Sequence, residues 1–404
     1  MKTIICAAGL AALAACALLS VAAATPAAAQ DEKKEEVPFW AVGRPDSGPG
    51  AQLAPVPAPP LPTPEAQLPK LNVPAGFKVE VFASGVADAR GLREGDKGTL
   101  FVSTLFGGGG RIYALKDGKT MEIAKDLFLP NGVEFRDGAL YVATPKEIIR
   151  YDGIEDSLDN PPAPVTVYSD LPGLVPHGWK FIKFGPDGKL YVPVGTPCNI
   201  CEEQEGFAEI FRINADGTGR ETVARGVRNT VGFDFDPQTG DLWFTDNQRD
   251  WLSEDMPIDE LNHVTRPGEQ HFGYPFCHSG LMTDPQYGWG KSCDDYSSPA
   301  ALLGAHSAPL GMRFYSGTAF PEAYQGAIFI ARHGPWNRHA KYADVAVAFL
   351  DRNGSVRAVE PFMTGFVVDN TYVGRPADVM VMKDGSLLVS DDFNGAIYRI
   401  TYEG

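Results

Sequence analysis

The sequence predicts an all-β protein, a six-bladed β-propeller of four-stranded antiparallel blades. Three observations carry that expectation. First, a short phrase of turn, glycine, apolar residue and aromatic or β-branched residues recurs as "KGTLFVST", "DGALYVAT", "DGKLYVPV", "TGDLWFTD", "QGAIFIAR" and "DGSLLVSD". Its apolar marker falls at Leu100, Leu140, Leu190, Leu242, Ile328 and Leu387. Second, period-two alternation flanks each copy, and Asp-Gly or Pro-Asp-Gly turns join the runs, as in antiparallel hairpins. Third, the copies stand roughly 40 to 60 residues apart, the length of a propeller blade, with one longer interval between Leu242 and Ile328. A two-sheet sandwich could use the same strands but gives no reason for the recurrence.

Taken in order, the chain opens with an expected export signal over residues 1–29. Lys2 is its basic start, residues 4–23 are almost entirely apolar, and Ala27-Ala28-Ala29 fits a small-residue cleavage site before Gln30. A lipoprotein signal is the rival, because Leu13-Ala14-Ala15-Cys16 resembles a lipobox; the apolar run continuing past Cys16 favours simple cleavage. No other stretch is apolar for long enough to span a bilayer, so no transmembrane segment and a periplasmic or secreted location are expected. Residues 30–70 are charged, then rich in Pro and Ala, a composition that suits an extended tether. The propeller is expected over 71–404, with an insertion at about 250–310.

The 404 residues carry 44% hydrophobic side chains, enough for a sizeable core, and a formal net charge of -16. That charge argues against nucleic acid or an anionic membrane surface as partner. Cys198, Cys201, Cys277 and Cys293 lie beyond the signal. In an oxidising compartment, the expected pairs are Cys198–Cys201 and Cys277–Cys293, the second pinning the insertion; a zinc site of four thiols is the alternative.

Polar residues stand just before the run that precedes each turn: Arg90, Asn131, His177, Arg228 with Asn229, His306 and Arg375. Equivalent positions of successive blades lie on one ring around the channel, so these residues are expected to converge on one face. A wet rim that merely favours polar residues is the bland alternative. Arg249, Arg332 and Arg338 are further candidates on the loops leaving neighbouring strands. Guanidinium forks hold carboxylates bidentately, so the ring expects an anionic, polycarboxylate ligand with His177 as a base beside it. Such a base is expected to protonate, and activity to fall, below about pH 6.

The motifs "HGWKFIKFGPDGKLYV", "GVRNTVGFDFDPQTGDLWFTDNQRD", "DELNHV…HFGYPF" and "GRPADVMVMKDGSLLVSDD" resemble the glucose/sorbosone dehydrogenases, soluble six-bladed propellers that use pyrroloquinoline quinone (PQQ). The resemblance runs from about Leu71 to the C-terminus. It implies oxidation of an aldose or aldehyde-bearing sugar and leaves the electron acceptor open. By resemblance, His177 is the general base and Arg228 lies against the quinone oxygens with Asn229 beside it. Arg375 and Arg332 hold the cofactor, and a calcium ion bridges PQQ and backbone carbonyls. The family's Gly-Pro after the fourth-blade strand is replaced here by "DNQRD", which puts Gln248 and Arg249 at the metal and Asn247 and Arg249 near the cofactor. Asp246, Asn247 and Asp250 are the substitute calcium ligands. Two other classes share the architecture: a calcium-dependent, lactonase-like hydrolase and a non-catalytic binding propeller of the NHL kind.

Overall fold

The computed structural model describes residues 63–105, 109–173 and 177–404. Six four-stranded antiparallel sheets follow one another along the chain, with almost no helix. The first blade is Ala89–Glu94, Leu100–Thr104, Ile112–Lys116 and Lys119–Ala124. The second runs from Gly132 to Tyr168, the third from Lys183 to Arg225, the fourth from Phe233 to Ala305 and the fifth from Pro309 to Met363. The sixth contains Pro376–Val381, Leu387–Asp391 and Ala396–Tyr402, and its outermost strand is Phe77–Ser84 from the opposite end of the domain. That pairing, in register from Phe77 against Tyr402 to Ser84 against Ala396, closes the ring. Every repeated phrase is the second strand of a blade, as expected.

Each pair of neighbouring blades shares its own hydrophobic core. Phe101, Ile112, Val133, Phe135 and Val142 fill the first interface, for example, and Leu100, Val102, Met380, Leu388 and Ile397 the interface between blades six and one. Toward the axis the blades come too close for side chains. Counted from the repeated marker, Gly91, Gly132, Gly232 and Gly311 take the same place in four inner strands. A Cβ on Gly232 would lie 2.0 Å from the Leu310 carbonyl oxygen, and one on Gly91 2.3 Å from that of Asn131. Phe181 and Asp378 occupy the place in the other two blades and line the small axial cavity with Gly91 and Gly311. Two residues further on, charges alternate between adjacent blades. Arg93 pairs with Glu134 at 2.6 Å, Lys183 with Asp234 at 2.9 Å, and Arg313 reaches Asp378 at 3.2 Å.

Two expectations change in detail. The export signal and the tether up to residue 62 lie outside the described residues, but Pro64–Gln67 and Leu68–Lys70 form a helical turn instead of a tether. Thr63 caps it, and buried Gln67 donates Nε2 to the Gly365 carbonyl at 3.0 Å. The domain thus begins a turn before Leu71, hidden by its proline-rich composition. The insertion is narrower than 250–310, because "IDELNHV" alternates and forms the fourth blade's third strand, Ile258–Val264. What remains is residues 265–300, between that strand and Ala301–Ala305. Both expected disulfides form. Among the described residues, no helix is long and apolar enough to cross a membrane.

The axial contact predicts a large effect from a small change. Gly232→Ala should lose about 1–3 kcal/mol of stability, the usual scale of overpacking, read as a lower midpoint in urea unfolding. An unchanged midpoint would mean that the fourth and fifth blades can part at the axis without cost.

Candidate active site

The loops that enter the inner strands are tied down by carboxylates at the ends of second strands. Asp246 closes Leu242–Asp246 and accepts the backbone N–H groups of Arg228 at 3.0 Å and Asn229 at 2.6 Å. Asp391 closes the equivalent strand of the sixth blade and accepts the N–H of Arg375 at 2.9 Å. Burial pushes both carboxyls up, Asp391 to about 7, against the pull of those N–H bonds. Two blades therefore use one device to present an arginine.

His177 enters the third blade in a left-handed backbone conformation, φ 54°, followed by Gly178. Left-handed backbone costs energy in a residue with a Cβ and persists where its surroundings impose it. Gly195 shows that constraint: a Cβ there would sit 2.5 Å from the His177 Cβ and 3.2 Å from the Arg228 carbonyl. The half-buried imidazole makes a 2.9 Å bond from Nδ1 to the Thr196 carbonyl. A carbonyl only accepts, so Nδ1 carries the proton and Nε2 keeps its lone pair. Burial, then the charge of Arg228 and also that of Lys180, lower the imidazole to about 3. Without a bound anion, this ring therefore stays neutral well below the ordinary histidine range.

Arg228 is 2% exposed and bonded mostly to the protein. Nε donates to the Asn199 carbonyl at 2.9 Å, Nη1 to that of Asn247 at 3.0 Å, and Nη2 to Asn199 Oδ1 at 2.8 Å and Asp250 Oδ2 at 3.3 Å. Asn247 is itself fixed, its Nδ2 donating to the carbonyls of Asn229 and Pro309. From Asp250 the network continues to Asn337, whose Nδ2 reaches Oδ1 at 2.8 Å, and on to His306 Nδ1 at 3.5 Å. His306 is a second left-handed histidine, φ 52°, at the entrance to the fifth blade.

On the other side of the axis, Arg90 donates Nη1 to Asp392 at 2.7 Å and Nε to Asn131 Oδ1 at 3.4 Å, and its guanidinium lies over the Trp179 ring. Asn131 Nδ2 donates to the Lys180 carbonyl. Asp392 also holds His333 at 2.9 Å. Arg375 donates Nε and Nη2 to the carbonyls of His333 and Gly334, with its guanidinium over Tyr372. The six predicted entrance positions are thus linked through short chains of contacts. The cationic excess has identifiable owners. Arg375 meets carbonyls, and buried Lys180 bonds the Gly178 carbonyl at 2.7 Å, neither within ion-pair distance of a carboxylate among the described residues. Burial lowers Lys180 to about 7.

Two predicted cofactor arginines are ion-paired within the protein. Arg249 forms a 2.6 Å ion pair with Asp284 of the insertion, which also holds His278. Arg332 is locked to Asp344, its cross-strand partner in the fifth blade, and donates Nη1 to Leu303 of the fourth. Arg338, similarly, pairs with Asp255. The calcium expected at Gln248 and Arg249 would rest on backbone carbonyls; the side chains there are engaged otherwise. Gln248 donates to Asp246 and bonds His278, Arg249 brings a cation, and no cluster of three His, Cys, Asp or Glu among the described residues could hold a metal. The carboxylates nearby, Asp246, Asp259 and Glu260, are raised by burial and already accept backbone N–H groups. These residues do not fit a calcium built on carboxylates, and no chemistry is derived through one.

Sequence reasoning missed Lys180, Asn199, Tyr274 and Asn337. Lys180 shares the register of Arg90 and Asn131 and was legible as a charge inside "HGWKF". Asn199 sits inside "CNIC", so the Cys198–Cys201 disulfide braces the residue that holds Arg228. Tyr274, from the insertion, bonds Thr196 Oγ1 at 3.0 Å and the Cys201 N–H at 3.1 Å, buttressing His177 from behind. Only the folded loops bring the last three to the site.

Fold and site together define a six-bladed propeller whose strand entrances set a histidine, held neutral by burial, beside Arg228 and Lys180. The TrAA12-like family model matches residues 71–403, and the chain belongs to that family. An uncharacterised protein of Borreliella burgdorferi is 33% identical over 350 residues, covering 82% of this chain and 91% of its own. Among solved structures, the Trichoderma reesei carbohydrate-active enzyme of family AA12 superposes with a TM-score of 0.72 at 18% identity, over 82% of this chain and 97% of that one. The holo form of the pyranose dehydrogenase PQQ domain from Coprinopsis cinerea gives 0.70 at 19% identity, over 85% and 98%. At that identity the likeness is one of fold.

The His177 environment predicts two linked titrations. Histidine-selective NMR should show the Nδ1-protonated neutral ring persisting below pH 5. The unfolded chain takes up a proton near 6.5 and the folded one near 3, so this group makes stability fall as pH drops between those values. His177→Asn should lessen that fall; a wild-type ring titrating near 6.5 would place it in open water.

Proposed function

We propose that the protein is a PQQ-dependent sugar oxidoreductase acting on an aldose or aldehyde-bearing sugar outside the cytoplasm. The observation that carries the reading is His177: a neutral imidazole with Nε2 unprotonated, lowered by burial first and then by the charges of Arg228 and Lys180. Nearby, Lys180 and Arg375 donate to carbonyl oxygens and form no ion pair among the described residues, which leaves two cationic groups for an anion, and PQQ carries three carboxylates. The residues present therefore fit the cofactor. The Coprinopsis relative is described as a PQQ domain of a pyranose dehydrogenase, and the Streptomyces coelicolor aldose sugar dehydrogenase was solved with PQQ bound, which supports the same assignment.

When bound, PQQ supplies an ortho-quinone that accepts a hydride from the carbon bearing the substrate hydroxyl. The chain's own residues do the rest. His177 Nε2 takes the hydroxyl proton, while Nδ1, fixed on Thr196, keeps the ring from turning. Lys180 and Arg375 hold cofactor carboxylates, their charges being uncompensated by direct ion pairs. Arg228, with Asn229 beside it, contributes charge and rigidity; its bonds to Asn199, Asn247 and Asp250 make it an organiser of the site more than a free hand. Arg249, Arg332 and Asn247 act by fixing loops. The two disulfides support a periplasmic or secreted location.

The test is reconstitution. Protein freed of cofactor should reduce a dye in the presence of sugar only after PQQ is added. His177→Asn should retain PQQ affinity within a few-fold and lose roughly 10²-fold or more in turnover, the scale of general-base catalysis. Lys180→Met should do the reverse, weakening PQQ binding more than turnover at saturation. Activity restored by a nicotinamide or flavin, with PQQ inert, would overturn the reading.

A further inference from the structure

Residues 196–201 form one short segment with two duties at the site. The Thr196 carbonyl fixes Nδ1 of His177. Asn199 accepts from Nε and Nη2 of Arg228 and bonds both backbone groups of Asp250. The Cys198–Cys201 disulfide closes this segment across a separation of 3 residues. So short a loop removes little entropy from the unfolded chain. Its effect is therefore local: it shapes the stretch that grips both the histidine and the arginine.

The two sulfurs have different surroundings. Cys198 is buried, whereas Cys201 is half-buried and runs straight into the exposed residues 202–205. On the inner side, Thr196 Oγ1 and Tyr274 OH each lie 3.4 Å from Cys198 Sγ, and 3.0 Å from one another. Two hydroxyls carry two protons and their mutual bond uses one, so one is left to donate to sulfur. Arg228, bonded to Asn199 between the cysteines, adds positive charge. A thiolate released at Cys198 is stabilised by both, which makes Cys198 the better leaving group and Cys201 the sulfur open to attack. Among the described residues no hydroxyl bonds either sulfur of Cys277–Cys293, whose separation is 16 residues.

We propose that Cys198–Cys201 is a thiol–disulfide exchange site for a dithiol reductant, and that opening it lowers activity. A thiolate of the reductant attacks Cys201 Sγ. The bond between the two cysteines breaks, its electron pair leaves on Cys198, and a mixed disulfide forms at Cys201. The reductant's second thiolate then displaces Cys201 and closes the reductant's own disulfide. Two electrons pass to the cysteine pair, and the two protons of the dithiol end on its thiols. Once open, residues 196–201 no longer hold the Thr196 carbonyl and Asn199 at fixed positions, so His177 and Arg228 lose their common support. Exchange does not depend on the functional reading above; only its effect on turnover rests on it.

The experiment uses the folded full chain and dithiothreitol as the dithiol. Alkylation followed by peptide mapping should find Cys198 and Cys201 labelled while Cys277 and Cys293 stay bonded. The histidine-selective NMR signal of His177 should shift on this reduction, with or without cofactor. In PQQ-loaded protein, turnover should fall roughly tenfold or more, because small misplacement of a catalytic group is costly, and reoxidation should restore it. Replacing both cysteines, Cys198→Ser with Cys201→Ser, should give the low turnover without reductant and no further response to it. Label that appears at all four cysteines together, or at none until the chain unfolds, would overturn the site. Selective reduction that leaves an active enzyme's turnover unchanged would overturn its effect on activity. Selective reduction that moves the His177 signal, in a protein that PQQ cannot activate, would sustain the site and sink the functional reading instead.

Discussion

The constraint on which the rest depends is the closeness of the blades at the axis. Carbonyls of one inner strand lie where the next blade's Cβ would be at Gly91, Gly132 and Gly232, and the Asp378 carboxylate lies there at Gly311. Glycine there is required by space, since none of the four has a positive φ. That approach compresses six strand entrances into one small region, which is how Arg90, Asn131, Lys180, Arg228, His306 and Arg375 become neighbours although nearly the whole domain separates them in sequence. The alternating pairs Arg93–Glu134, Lys183–Asp234 and Arg313–Asp378 fill the channel next to the glycines. Buried pairs of this kind add little net stability over apolar packing. Their effect is register, because a blade shifted by one residue would leave a charge facing nothing.

Once the entrances are crowded, the loops must be held by something other than hydrophobic packing. Buried carboxylates supply it. Asp246 and Asp391 do equivalent work in two blades, and Asp259 extends it by accepting the N–H groups of Gln248 and Ala308. The cost is visible in their carboxyls, which burial raises. Of the two acids in "DNQRD", Asp246 is bound to backbone and Asp250 to the side chains of Arg228 and Asn337.

How far the sequence could be read follows from the range of the forces involved. Strand pairing within a blade is local, so period-two runs and Asp-Gly turns made all six blades legible, together with the order of the entrance residues. Closure was not legible: nothing in "FKVEVFAS" says that it completes the sixth blade beside "AIYRITY" and not the first. Side-chain pairing was the least legible. Arg249 and Arg332 look like free cations beside Arg375, and only the fold shows that Asp284 and Asp344 have already taken them. Lys180 was passed over for the opposite reason. A lysine inside an apolar run reads as a strand's solvent face, whereas here it points into a site where burial alone brings it to about 7.

His177 and Lys180 share one cause of lowered proton affinity and so one remedy. Burial penalises the charged form of both, and for His177 the charges of Arg228 and Lys180 add to it. An anion bound beside them would cancel part of that penalty and raise both. By linkage, binding of a polycarboxylate and basicity of the imidazole then reinforce each other. Without the anion, His177 is a poor proton acceptor locked in the correct tautomer; with it, the same ring in the same place is a better one. On the proposed reading, the cationic groups beside His177 would do more than hold a cofactor, because they would tie the basicity of the imidazole to the cofactor's presence. A neutral pocket of identical shape would place the histidine equally well but would leave its basicity indifferent to whether the cofactor had arrived.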